Sequence, residues 1–173
     1  CPQHLLGDFA FAIWDEREQK LFCARDIFGV KPFFYYHSSH CFFFASDLNA
    51  LLAVPEIPQQ FNEILLAAFL QQEDIMFAQK SQTFYNKIYK LPPAHCLTLT
   101  SRQHTIQSYW SVNAVSKINL KSEGDYIAML QDLLEQAVSC RLRSAFPMGT
   151  HLSGGLDSSA IAVTAARGLK HQG

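Results

Sequence analysis

From residue 152 to 160 the chain reads Leu-Ser-Gly-Gly-Leu-Asp-Ser-Ser-Ala, and this is the segment whose residue types could do chemistry. The pair Gly154-Gly155 lets the backbone turn tightly and approach a ligand, because neither residue carries a Cβ. Successive N–H groups in such a turn, joined to the positive end of a following helix, form an anion cradle. The hydroxyls of Ser153, Ser158 and Ser159 are expected to add donors at the same place. No lysine follows the glycines, so the Walker pattern G-x-x-x-x-G-K-S/T is absent. Asp157 is unusual in a phosphate loop, since a carboxylate repels phosphate unless a cation lies between them. The combination points to Mg²⁺, a hard ion that takes carboxylate and phosphate oxygens together. The competing reading is a Gly-Ser turn in which Asp157 or Ser158 only caps a helix.

The elements around the loop favour the ligand-binding reading. Met148 to Leu152 predicts a short strand, and Ala160 to Ala166, apolar nearly all round, predicts a helix buried in an α/β layer. Upstream, Ser122-Glu123-Gly124-Asp125 matches a capping box. Ile127, Leu130, Leu134, Ala137 and Val138 recur at helical spacing, which predicts an amphipathic helix to about Arg143. Arg141 and Arg143 complement its carbonyl end, as a solvated helix terminus does. Ser111 to Lys121 shows no period and is assigned as a linker.

The first half is rich in strand formers. Phe9 to Trp14 is apolar on both faces, which predicts a strand covered on each side. Asp15 to Lys20 is a polar turn, and Leu21 to Ala24 completes a hairpin. Further strands are predicted at Phe33 to Tyr36, Cys41 to Ala45, Ala94 to Thr100 and His104 to Trp110. Ser46 is expected to cap a short helix over Asp47 to Ala53, stopped by Pro55 and Pro58. Asn62 to Gln71 predicts a second helix with Ile64, Leu65, Ala68 and Phe69 on one side. The aromatic group of Phe33, Phe34, Tyr35, Tyr36, Phe42, Phe43 and Phe44 is expected to be core. Arg25-Asp26 and Lys31 are expected to hold a turn or an interdomain contact rather than to catalyse.

Composition narrows the field. The 173 residues carry 14 basic and 15 acidic side chains, a net charge of −1, without the basic footprint of a nucleic-acid or anionic-membrane binder. The longest apolar run, Ile64 to Leu70, is too short to span a bilayer, and no signal-peptide pattern opens the chain. Five scattered cysteines, an odd number, favour a reducing, cytoplasmic setting over a disulfide framework. The adjacent pairs His40-Cys41 and His95-Cys96 would point to opposite strand faces and so share no metal. The chain opens at Cys1 without a methionine and stops soon after a new unit begins. It is therefore expected to be an internal segment of a longer protein.

SGGLDSS resembles the pyrophosphate-binding loop of the ATP-pyrophosphatase enzymes. The approach to it, Arg141 through Leu152, resembles that of glutamine-hydrolysing asparagine synthetases. Gly7 to Asp15 (GDFAFAIWD), Ala24 to Tyr36 (ARDIFGVKPFFYY), Phe44 to Leu52 (FASDLNALL) and Lys90 to Leu99 (KLPPAHCLTL) are similar, in order, to segments of that family's glutaminase domain. The resemblance implies an α+β and α/β chain. Residues 1–110 would be the later part of an Ntn-type αββα glutaminase sandwich, 111–121 a linker, and 122–173 the start of a parallel-sheet, nucleotide-binding synthetase domain. It further implies glutamine-dependent synthesis of asparagine from aspartate and ATP through an acyl-adenylate, with release of AMP and pyrophosphate. Its small-molecule partners would be aspartate, glutamine and ATP, and its assembly a homodimer. Leu152 would lie at the nucleotide, residues Ser153, Gly154, Gly155, Leu156, Asp157, Ser158 and Ser159 at the pyrophosphate, and Asp157 at Mg²⁺.

That family's nucleophile is an N-terminal cysteine, yet the residues after Cys1 match the later part of the glutaminase domain, and Pro2 stands where a small residue is expected. Cys1 is therefore assigned no catalytic role, and no catalytic residue is expected within the segment. His151 occupies a usually aliphatic position and is expected to be a core histidine. Two other readings are carried forward. One is a related amide-forming cyclase of the β-lactam synthetase or lasso-peptide type. The other is a nucleotide-binding module without turnover.

Overall fold

The computed structural model describes residues 1–72 and 81–172, and the side chains of residues up to 169. The chain divides into two compact units, Cys1–Val115 and Ser116–Gly173.

In the first unit, β1 (Ala10–Asp15) and β2 (Lys20–Arg25) form the expected hairpin. β3 (Phe34–His37) and β4 (Phe42–Ala45) form another. Next come α1 (Leu48–Leu52), α2 (Glu63–Leu70), β5 (Ile88–Lys90), β6 (His95–Leu99) and β7 (His104–Ser108). The strands make two antiparallel sheets, ordered β1-β2-β6-β7 and β4-β3-β5. This is a mixed α+β unit. Its core lies between the sheets, where Cys23 and Leu97 of the larger pack with Tyr35 of the smaller and with Phe33 and Leu91. A second cluster of Tyr36, Leu51, Ile57 and Ile88 seats α1 on the other face of the three-stranded sheet. Alternation along β3 explains both clusters: Tyr35 and Tyr36 point to opposite faces.

Several local expectations need correction. Asp47, not Ser46, caps α1, its carboxylate accepting from the Asn49 N–H at 2.9 Å. Both are capping residues, and the cap sits one residue before the first helical one. Strand β1 is not covered on each side, since Ile13 and Trp14 are about half exposed near its hairpin end. On α2, Leu65 and Ala68 are buried but Ile64 and Phe69 are not. The aromatic group is core at Phe33, Tyr35 and Tyr36, whereas Phe44 remains partly exposed while stacking on Phe33. The short β5 escaped the sequence reading because three residues carry little periodicity.

The second unit holds α3 (Glu123–Ser139) and α4 (Leu156–Gln172). The capping box at the start of α3 is present in full: Ser122 Oγ accepts from the Asp125 N–H and Asp125 accepts from the Ser122 N–H. The helix stops at Ser139, short of Arg143. Met148 to Leu152 is not a strand in this structure, because a strand needs a ladder partner and none pairs with it among the described residues. His151 is accordingly exposed, not a core histidine. Neither is α4 buried: Ile161, Val163 and Leu169 face solvent, as do Ile127 and Leu130 of α3. No helix among the described residues is long and apolar enough to cross a membrane.

Candidate functional site

Two built features stand out, one in each unit. In the first, Arg25 ends β2 and Asp26 begins the loop to β3. Asp26 is 1% exposed, and its carboxylate accepts from the N–H groups of Phe28, Val30 and Lys31 at 3.1, 2.9 and 3.0 Å. Burial alone would raise its pKa. The N–H groups of Lys31, Val30, Phe28 and Gly29 outweigh that cost and hold it below the ordinary carboxylate value. Arg25 spreads its guanidinium over three carbonyls: Lys31 at 2.7 Å, Leu91 at 2.7 Å and Gly29 at 2.6 Å. Gly29 itself has φ +67°, and a Cβ there would lie 2.8 Å from Pro93 Cγ. Every polar group of the pair is thus committed to backbone. Arg25, Asp26 and Lys31 shape the loop, as expected of residues that hold a turn.

The second feature is the 152–159 loop. Gly154 takes φ +82°, a left-handed value that glycine adopts without strain, and α4 starts at Leu156. The first intrahelical bond runs from the Ser159 N–H to the Gly155 carbonyl at 3.2 Å. The N–H groups of Leu156, Asp157 and Ser158 therefore precede it and have no intrahelical acceptor. Unpaired amides at a helix start are donors of the kind that can bind an anion. Neither Asp157 nor Ser158 is the residue before the helix; both lie in its first turn.

The serines behave differently from expectation. Ser159 Oγ donates to the Gly155 carbonyl at 2.8 Å, and Ser158 Oγ donates to the same carbonyl at 3.1 Å. Ser153 Oγ lies 2.9 Å from Ser158 Oγ and accepts from the Gly155 N–H at 3.4 Å. With Ser158 donating to Gly155, the proton in the Ser153–Ser158 bond comes from Ser153. All three hydroxyl protons are spent inside the loop, so they brace the turn instead of standing free for a ligand. A backbone acceptor such as Gly155 has no side-chain signature, and its role could not be read from residue types.

Asp157 lies near the positive end of α4, where a carboxylate also stabilises the helix itself. It makes no side-chain hydrogen bond or ion pair among the described residues. Among those residues no group of three His, Cys, Asp or Glu side chains could hold a metal ion. One free carboxylate fits Mg²⁺ only in the shared mode, where phosphate oxygens and water complete the six ligands. Leu152 and Leu156 expose their side chains beside the loop.

Residues 1–110 match the glutamine amidotransferase domain family, and residues 129–172 match the asparagine synthase family. The chain is 39% identical over its whole length to glutamine-hydrolysing asparagine synthetase 3 of Bacillus subtilis, covering 28% of that protein. It is 36% identical to asparagine synthetase 2 of the same organism over 94% of this chain and 23% of the relative. It is 32% identical to Amidase chry2 of Gibberella zeae over 92% of this chain and 23% of the relative. It thus spans about a quarter of the length of these relatives. Since the match over residues 1–110 spans more than half of the chain, the chain belongs to the glutamine amidotransferase domain family.

Proposed function

We propose that this chain serves glutamine-dependent synthesis of asparagine from aspartate and ATP, with residues 152–159 as the diphosphate grip of the ATP site. The observation that carries the reading is the helix start at Leu156: free amides follow a left-handed glycine and stand beside a carboxylate that binds no other side chain. In this reading residues 1–110 belong to an Ntn-type αββα glutaminase sandwich, 111–121 link, and 122–173 begin a parallel-sheet synthetase domain. The paired sheets with α1 on one outer face support the first assignment.

Chemically, aspartate is activated as an acyl-adenylate while pyrophosphate leaves. The leaving group gains charge as its bond to the α-phosphorus breaks. The amides of Leu156, Asp157 and Ser158 are fixed by α4 before that charge develops, so they need little reorganisation to hold it. The serine network around Gly155 keeps the turn open to approach, and Leu152 flanks the nucleotide. Asp157 would hold Mg²⁺, which supplies further charge neutralisation at the phosphates. No residue of this chain is assigned as the glutaminase nucleophile, Cys1 included. The setting is proposed to be cytoplasmic, the assembly a homodimer.

Asp157→Ala in the complete enzyme should reduce aspartate-dependent pyrophosphate release at least 100-fold and spare glutamine hydrolysis. Equal loss of both activities would overturn the assigned role. Pyrophosphate release that persists without aspartate, but follows another carboxylate acceptor, would support an amide-forming relative with a different product. The 173-residue chain alone should release no ammonia from glutamine. Measurable release that disappears in Cys1→Ala would reverse the assignment of Cys1.

A further inference from the structure

The hairpin turns at 38–41 and 100–103 converge on one cleft of about 550 Å³, at the end of the first unit. His37 ends β3 in the three-stranded sheet, and His104 begins β7 in the four-stranded sheet. Their ring centroids are 4.6 Å apart with the planes inclined by 40°. Tyr35 and Phe42 flank the pair, with centroids 6.1 and 6.4 Å from that of His104. Both imidazoles are exposed along the cleft, so the pair is reachable from solvent.

That spacing has a chemical meaning. A metal–nitrogen bond of about 2.05 Å places each imidazole centre about 3.2 Å from the ion. Two such ligands at an angle near 90–110° then have centres about 4.5–5.2 Å apart. The His37–His104 separation falls in this interval. We propose that His37 and His104 form an open, two-histidine site for a late first-row divalent ion such as Ni²⁺ or Zn²⁺, tying the two sheets together. Imidazole suits these ions, and water fills the remaining positions in the cleft. No third His, Cys, Asp or Glu completes a set among the described residues, so the site is labile and not a closed structural centre. The pair was invisible in sequence, because its members are far apart in the chain and meet only through sheet packing.

Ni²⁺ titration of the full chain, followed by calorimetry and by the histidine ring signals in NMR, tests the proposal. The expected result is one saturable site whose affinity falls at least tenfold in His37→Ala and equally in His104→Ala, while His40→Ala leaves it unchanged. The ring signals of His37 and His104 should broaden together at substoichiometric Ni²⁺. An unchanged amide spectrum in the variants shows that they fold. Undiminished affinity in either variant, or broadening shared equally with His4, His40 and His151, would overturn the site and leave only ring packing.

Discussion

At the scale of single residues, Asp26 offers the sharpest test. Its folded pKa lies below the unfolded value of about 3.9. Its stabilising contribution is therefore complete above that value and fades as pH falls through the folded pKa. Asp26→Asn keeps one acceptor but turns an amide donor towards one of the three N–H groups. It should cost about 2 kcal/mol at pH 7. In urea titrations the gap between wild type and variant should shrink steadily below pH 4, and a gap independent of pH would show that the carboxylate charge is immaterial. The structural role of Arg25 and Asp26 was legible from sequence because opposite charges beside a Gly-Val-Lys-Pro turn have local work to do. Their actual partners were not, because all of them are backbone groups. The same reason hid the Gly155 carbonyl.

At the scale of elements, the capping box of α3 was fully legible, since it is written in four consecutive residues. Ser122→Ala removes the acceptor for the Asp125 N–H and should cost about 1 kcal/mol. Amide exchange in the first turn of α3 should accelerate, with the later turns following less; unaltered exchange at Asp125 would dismiss the cap. The strands of the first unit other than β5 were also legible, through apolar runs bounded by polar turns. Met148 to Leu152 shows where such reading stops. Strand formation depends on a neighbour that supplies hydrogen-bond partners, and no local pattern reports whether one is present. Helix α4 repeats the lesson. Its apolar composition correctly gave a helix, but burial depends on what packs against it, and Ile161 and Val163 lie open.

At the scale of the whole molecule, the two units differ in what sustains them. The first owns a core between two sheets, with Cys23, Leu91 and Leu97 fully enclosed. Residues 1–115 expressed alone should retain the β-sheet signal of the full chain in circular dichroism and melt cooperatively. A featureless spectrum would show that this core does not suffice. The Gly-Ser turn was legible as a motif because glycines and serines are contiguous there, while the three amides that the proposed diphosphate grip would use needed the helix start. The second unit encloses far less: Ile127, Leu130 and Leu133 of one helix and Ile161, Val163 and Leu169 of the other meet solvent. Water ordered over those faces is a standing source of association free energy. Sulfate, which raises the cost of wetted hydrocarbon, should therefore drive association through the faces of the second unit first, leaving the first unit as the colloidally quiet part.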